Sequence, residues 1–534
     1  MKRFARLGLV ALATCLLVVP CAAQGKTAQE QSFRAPVLLR EAEMALNQGH
    51  MLLERLAYMF RKAKEAAQPT GELASELQQI EDEAFQLYRQ GNRSVARKLV
   101  YRGIARLLGK PWTAREEYLR SLILRTNMIV CDPRQPVVVR LEQEYQAMYK
   151  QQSPLALRLV LLDGKTPRKK PPIKQLHRLE VPQRDLIDQP FSFALDLRDV
   201  PDGNYLLAAD VEEDGQAARR LTLPLRLVRG LHEAEEEIER RLQAIAGHES
   251  TKATVRYPFD FARRLNLNLP MLVPGQYDFA RAIEYSRELL AELEQGRDPL
   301  YRATGDHVRH YWFAEAGEIM PYRVYVPQSY DGTRPFPLIV ALHGAGGSES
   351  AMIVARNGQM KKLAEKHGYI VASPLGYRPR GGYGRIPKEF SPNPFLKRVR
   401  ELSEKDVMNV LKLVRAEYRI DDRRIYLMGH SMGGTGTWRL AAKYPDMWAA
   451  IAPVSAGGAR PEEINLEAMR HIPVLVCHGD RDAKAPVENA RAMVARMKEL
   501  GMTYEYWEKR GGTHALLGES LPRVFAFFNK HKKP

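Results

Sequence analysis

Arg424-Ile-Tyr-Leu-Met428, followed at once by Gly429-His-Ser-Met-Gly433 and Gly434-Thr-Gly-Thr-Trp438, decides how the C-terminal part of this chain is read. The first five residues form a short run of strand character. Gly-x-Ser-x-Gly is the pattern of a strained strand-to-helix turn that exposes a serine oxygen. Glycine on both sides relieves the crowding such a turn creates. Thr435 to Lys443 then reads as a helix, with Trp438 two turns past the serine on its sheet-facing side. The five-residue motif alone is weak. Its place between a strand and a helix makes Ser431 the expected nucleophile.

Working outward, Tyr322-Arg-Val-Tyr-Val-Pro327 reads as a strand, and Pro335-Phe-Pro-Leu-Ile-Val-Ala-Leu342 as a nearly continuous apolar one. That texture belongs to a strand buried on both faces. His343-Gly-Ala-Gly-Gly347 follows, where glycines let the backbone turn sharply and present N–H groups. Tyr369 to Ser373 is a further strand and Lys405 to Tyr418 an amphipathic helix.

Downstream, Ile472-Pro-Val-Leu-Val-Cys477 is a strand ending in His478-Gly-Asp-Arg-Asp482. Asp482 or Asp480 must be the acid that orients an imidazole and stabilises its charged form. Asp482 is preferred, with Asp480 assigned to turn hydrogen bonds. Tyr504 to Trp507 is the next strand, and Gly511-Gly-Thr-His514 follows it as a loop that can bring His514 to Ser431 as general base. The order serine, acid, histidine is the one this strand-and-elbow arrangement requires. His343 and His478 begin loops and are expected to hold them in shape. His430 is expected to face away from the reacting serine.

Leu-His-Gly-Ala-Gly-Gly, Gly-His-Ser-Met-Gly-Gly-Thr-Gly-Thr-Trp, His-Gly-Asp-Arg-Asp and Gly-Gly-Thr-His together resemble the α/β-hydrolase serine esterases. The resemblance is to the polyhydroxybutyrate-depolymerase-like and feruloyl-esterase-like group, near prolyl-oligopeptidase-type hydrolases. It covers about 40% of the chain. It implies that the second acid of His-Gly-x-x-Asp, here Asp482, completes the triad. Motif position assigns the backbone N–H groups of Ala345 and Met432 to the oxyanion hole. The blade repeat of a propeller is missing from the sequence, which speaks against the prolyl-oligopeptidase subclass.

The expected architecture is multidomain. A C-terminal α/β-hydrolase over 308–534, a mostly parallel sheet flanked by helices, is preceded by a helical region at 32–128 and a small β-sandwich at 130–228. A helical connector occupies 230–305. The helical reading rests on Leu38, Leu39, Ala42, Ala45 and Leu46, and on Leu52, Leu53, Leu56, Met59 and Phe60. The sandwich rests on the runs at 137–141, 155–162, 191–195 and 205–211, with Asp202-Gly203 and Asp214-Gly215 as turns. Pro201 to Tyr205 resembles the turn before a strand in fibronectin- or immunoglobulin-like modules.

At the N-terminus Lys2, Arg3 and Arg6 precede an apolar run from Leu7 to Val19, broken by Pro20 and followed by Cys21-Ala-Ala23. This reads as a signal peptide over 1–23 and an exported protein, periplasmic or extracellular. A lipoprotein based on Cys21, or an uncleaved anchor, is the alternative. No later stretch is apolar enough to span a bilayer. Of the four cysteines, Cys131 and Cys477 lie beyond the signal, too few for a disulfide framework or a cysteine-rich metal site.

The chain has 534 residues, 45% hydrophobic and 27% charged, with a formal net charge of +18. That is globular composition. The basic residues are mixed with acidic ones, and no nucleic-acid-binding signature is present. The chemistry needs no metal or organic cofactor. The expected substrate is an ester-bearing small molecule or polymer, with a serine peptidase, or an envelope carbohydrate-binding scaffold with an appended hydrolase, as the other readings. Tyr377, Arg380 and Tyr383, after the strand ending at Ser373, are candidates to line the substrate pocket, because ligands of open α/β sheets bind outside the carboxyl ends of the strands.

Overall fold

The computed structural model describes residue 39 and residues 53–149, 153–164, 171–267, 277–384 and 394–534. The export-signal pattern at 1–23, and the helical spacing from Leu38 to Leu52 apart from Leu39, lie outside the described residues. Helices α1 (Leu53–Ala67), α2 (Gly71–Arg89) and α3 (Arg93–Leu107) bury Leu56, Phe60, Leu77, Ile80, Tyr101 and Ile104 against one another. Helix α4 (Ala114–Ser121) follows, its first turn capped by the Thr113 hydroxyl, which accepts from the Glu116 N–H.

Helix then ends sooner than residue 128. Leu122-Ile-Leu-Arg-Thr126 is strand β1, with Leu122 and Leu124 in the core of the sheets that follow. Those strands are β2 (Val130–Cys131), β3 (Val137–Gln143), β4 (Leu155–Asp163), β5 (Lys174–Val181), β6 (Phe191–Leu195), β7 (Gly203–Glu213) and β8 (Gln216–Leu227). They form one sheet in the order β1-β3-β6 and another in the order β2-β8-β7-β4-β5. Val139, Leu141, Leu157, Leu159, Leu207, Leu223 and Leu225 belong to one core drawn from both sheets. Strand β5 has a mostly polar sequence because it is an edge, hydrogen-bonded to β4 alone. Asp214-Gly215 is the hairpin turn between β7 and β8, with φ of 53° and 75°, the left-handed pair a two-residue turn requires.

Helices α5 (Leu231–Leu242), α6 (Glu249–Asn266) and α7 (Phe279–Glu294) come next. Helix α6 packs against the last sheet. The Tyr257 ring of α6 stacks on His310 at 3.9 Å between centroids. Arg264 donates to Glu318 Oε2 at 3.1 Å and to the Ile319 carbonyl at 3.0 Å.

The last sheet has eight strands: β9 (Gly305–Phe313), β10 (Glu318–Val326), β11 (Phe336–Leu342), β12 (Ile370–Pro374), β13 (Ile420–His430), β14 (Ala450–Val454), β15 (Val474–Gly479) and β16 (Tyr504–Lys509). Their order is β16-β15-β14-β13-β11-β12-β10-β9. Strand β10 runs antiparallel to β9 and β12, and every pair from β12 to β16 is parallel. The sheet therefore starts at Gly305, a little before the expected boundary. Helices α8 (Ala351–His367), α9 (Pro394–Glu417), α10 (Met432–Lys443), α11 (Val487–Glu499) and α12 (Leu517–Lys530) alternate with the parallel strands.

Every residue of β11 is buried, yet the strand keeps its period of two. Leu338, Val340 and Leu342 face a core with Trp438 and Trp448, while Ile339 and Ala341 face another with Phe525 and Phe528. Strand β13 divides the same way, Ile425 and Leu427 to one side and Tyr426 and Met428 to the other. A sheet covered on both faces leaves only its strand ends open to solvent, which is where a site can form. Cys131 and Cys477 are both buried and unpaired.

Candidate active site

Strands β11, β13, β15 and β16 are parallel, so the loops after them leave one edge of the sheet together. Ser431 follows β13 at φ 59°, ψ −116°, outside the regions a side chain favours. The fold enforces this turn by close approach. A Cβ on Gly433 would stand 2.1 Å from the Leu342 carbonyl oxygen, and one on Gly429 2.3 Å from that of Gly433. No other residue type fits at either position. The Ser431 N–H donates to the Val454 carbonyl at 2.9 Å, tying the elbow to the neighbouring strand.

Around the serine oxygen the three sequence-selected side chains meet. His514 Nε2 is 2.9 Å from Ser431 Oγ, and His514 Nδ1 is 2.8 Å from Asp482 Oδ2. The Asp482 side chain is fully enclosed. Its other oxygen, Oδ1, accepts from the backbone N–H groups of Lys484 and Ala485, each at 2.9 Å. Burial alone would raise the Asp482 pKa. The hydrogen bonds to its charged form, from His478, His514 and the Ala485 N–H, outweigh burial and hold it well below the usual carboxylate range. His478 Nε2 stands 3.0 Å from the Ala485 carbonyl oxygen and 3.4 Å from Asp482 Oδ2. Asp480, the other acid considered, engages the neighbouring strand through its backbone, its N–H donating to Lys509 O at 3.2 Å.

The loop after β11 passes directly over the elbow. A Cβ on Gly344 would lie 3.4 Å from Ser431 Cβ. Ala345 is exposed beside it, and Met432 is the first residue of α10, where a helix leaves its N–H groups unbonded. The next N–H groups in the loop are used, Gly346 on the Pro379 carbonyl at 2.7 Å and Gly347 on the Gly344 carbonyl at 3.0 Å. His343 is buried, its ring nitrogens 2.7 Å from the carbonyl oxygens of Gly344 and Leu375.

The three candidate pocket residues do not behave alike. Tyr383 is fully buried against Gly436, and its hydroxyl donates to the His343 carbonyl at 3.3 Å. Tyr377 is buried too, its hydroxyl 3.2 Å from Glu318 Oε1 and its N–H 2.9 Å from Asp406 Oδ2. Both tyrosines have left-handed φ, 62° and 49°, which turns their rings inward. The expectation that they line an open pocket is thus corrected: they brace the loop from within. Arg380 alone remains half-exposed, its Nη2 3.7 Å from the position of a Cβ on Gly346.

Asp406, Arg378 and His430 also shape the site. Asp406 on α9 is fully buried and accepts from Tyr311 Oη at 2.6 Å and the Gly376 N–H at 2.6 Å, as well as from Tyr377. Burial pushes its pKa up to about 6 against those donors. Arg378 is buried in a two-pronged pair with Glu318, at 2.6 and 2.8 Å. The His430 ring turns to the His514 loop, its Nε2 2.8 Å from the His514 carbonyl oxygen. The acid and the arginine had no motif around them, but His430 sat in plain view inside Gly-His-Ser-Met-Gly. Among the described residues no cluster of side chains is suited to hold a metal ion.

The strand order, the elbow after β13 and the Ser–His–Asp line give residues 305–534 the arrangement of an α/β-hydrolase with a site like that of serine esterases. Residues 313–515 match the model of the Esterase family, described as "Putative esterase". The putative esterase NocK of Nocardia uniformis subsp. tsuyamanensis is 28% identical over 165 residues, 31% of this chain and 45% of that protein. The bifunctional acetylxylan esterase/xylanase XynS20E of Neocallimastix patriciarum is 28% identical over 171 residues, 32% of this chain and 22% of that protein. Cutinase 2 of Thermobifida cellulosilytica is 37% identical over 97 residues, 18% of this chain and 35% of that protein. The chain thus spans less than half the length of each of these curated relatives.

Proposed function

We propose that this protein is an exported serine hydrolase that cleaves carboxylic esters through an acyl-enzyme, acting on esters carried by a polysaccharide or a polyester. The observation that carries the reading is the unbroken hydrogen-bonded line from Ser431 through His514 to the enclosed Asp482. In this reading His514 takes the proton from Ser431 Oγ as that oxygen attacks the ester carbonyl. The N–H groups of Ala345 and Met432 receive the oxyanion. Asp482, held ionised, keeps the Nδ1 proton of His514 in place and stabilises the imidazolium. His514 then protonates the departing alcohol, and water repeats the attack on the acyl-enzyme.

The polymer part of the proposal draws on relatives named for acetylxylan and cutin esters. It accords with an edge-of-sheet site in which Ala345 and Gly346 are exposed. Export rests on the basic-then-apolar N-terminus, and among the described residues no helix is long and apolar enough to cross a membrane. The elements from residue 53 to 294 are read as a helical module, a sandwich and a docked helical connector that present the hydrolase to its substrate. The test is hydrolysis of p-nitrophenyl acetate by wild type and Ser431→Ala. Loss of at least about 10³-fold in kcat with an unchanged circular-dichroism spectrum is expected. Wild-type turnover by the variant would sink the reading.

A further inference from the structure

His514 sits on a loop that begins Gly511-Gly512, in which Gly511, Thr513 and Ala515 are exposed. Two donors reach it from opposite walls. From β13, His430 Nε2 lies 2.8 Å from the His514 carbonyl oxygen, with the two rings 5.0 Å apart. Burial lowers the His430 pKa, with the His514 and Lys484 charges adding to that, against the opposing His514 carbonyl contact and Asp482 carboxylate. A neutral imidazole has one N–H, and the carbonyl fixes it on Nε2. The other nitrogen, Nδ1, lies 3.5 Å from where a Cβ on Gly344 would stand, so the ring also backs the loop over the elbow.

From the other wall, Arg356 Nη2 donates to the very next carbonyl, that of Ala515, at 3.1 Å. Arg356 owes its position to a break in α8. Arg356, Asn357 and Gly358 are consecutively left-handed, with φ of 52°, 55° and 69°. Non-glycine residues hold such a conformation only where the surroundings over-determine it. The Arg356 stem lies along the start of α12, its Cγ 3.0 Å from the place of a Cβ on Gly518.

We propose that His430 and Arg356 are positioning residues for the reaction. Together they hold two successive carbonyls, His514 and Ala515, and so set the His514 ring against Ser431. His430 couples this to the loop carrying Ala345. The inference rests on the reading of Ser431 as nucleophile. Removing either donor frees the loop and lowers kcat while KM stays near its original value, because both donors bond backbone carbonyls of the His514 loop. Misplacement by about 1 Å corresponds to a fall of about 10²-fold. The effect is larger for His430, which is half-buried, than for the exposed Arg356.

The experiment compares full-length wild type, Ser431→Ala, His430→Phe, His430→Gln, Arg356→Ala and Arg356→Lys. Each is assayed for kcat and KM on p-nitrophenyl acetate, rate of fluorophosphonate labelling, and melting temperature. Wild-type activity that Ser431→Ala abolishes upholds the nucleophile, and its failure would count against that reading alone. With the nucleophile upheld, His430→Phe and Arg356→Ala should lose kcat and labelling rate at nearly constant KM. His430→Gln, whose amide nitrogen reaches a similar point, and Arg356→Lys should recover much of the loss. Wild-type kcat in both truncating variants overturns the inference. So does His430→Gln falling as far as His430→Phe, since ring bulk rather than the donor would then matter. If His430→Phe does not fold, the exposed Arg356 pair decides on its own.

Discussion

The loops after β12 and β15 leave the same edge of the same sheet, yet one turns inward and the other builds the site. The loop after β15 closes on itself through Asp482, whose Oδ1 gathers two backbone N–H groups and leaves Oδ2 for His514. The loop after β12 is gathered by a carboxylate from outside, Asp406 on α9, which takes the N–H groups of Gly376 and Tyr377. That pull, with the left-handed turns at Tyr377 and Tyr383, sends both aromatic rings into the core. Emergence at the carboxyl end of a strand is therefore not enough to place a side chain in a site. What matters is where the loop's backbone groups find their partners.

The sharpest break of this comparison is within the β15 loop. Asp482→Asn should lower kcat about 10³- to 10⁴-fold, by analogy with amide replacement of other triad acids. Asp480→Asn, two residues away, should leave kcat within a few-fold in the same assay. Equal losses in the two variants would mean that the acid has been misassigned.

The β12 loop should answer in stability rather than in rate. Arg378→Ala removes the two-pronged partner of buried Glu318 and leaves it Arg264 and the Tyr377 hydroxyl, at a cost of about 2–3 kcal/mol in denaturant unfolding. Tyr383→Phe removes one hydrogen bond to the His343 carbonyl and should cost about 1 kcal/mol, with KM for small esters unchanged. A rise in KM without loss of stability would restore Tyr383 to the pocket.

Asp406 gives the comparison a pH signature. Its folded pKa of about 6 lies above the ordinary 3.8, so the folded state binds its proton more tightly than the unfolded state does. Stability from this group is full below the unfolded value and falls as pH rises between 3.8 and about 6. Asp482 has the opposite sign: its depressed pKa adds stability above the unfolded value, lost as pH falls towards the folded one. Asp406→Asn should remove the decline between about pH 4 and 6 from urea-denaturation curves. An unchanged slope would show that Asp406 is ionised at ordinary carboxylate pH.

Much of the catalytic sheet was legible because buried parallel strands are written as apolar runs, and because an elbow that admits no Cβ must be written with glycine. The order of Ser431, Asp482 and His514 could be read for the same reason, each lying just past such a run. Strands β9 and β5 were not legible, since an edge strand needs no apolar face on both sides. β1 was missed because Leu122-Ile-Leu is too short to separate from the helix before it. The inward turn of Tyr377 and Tyr383 was hidden because it depends on Asp406, some thirty residues away in sequence. His430 was visible inside the elbow motif, but the carbonyl it meets belongs to a loop 84 residues further on.

The central claim is that Ser431 is the nucleophile, activated by His514. A fluorophosphonate probe followed by peptide mass spectrometry tests it most directly. A single adduct on the peptide carrying Gly429-His-Ser-Met-Gly433, absent in Ser431→Ala and strongly slowed in His514→Ala, is the result the account predicts. Labelling at another residue, or labelling of Ser431 at the wild-type rate without His514, would contradict it.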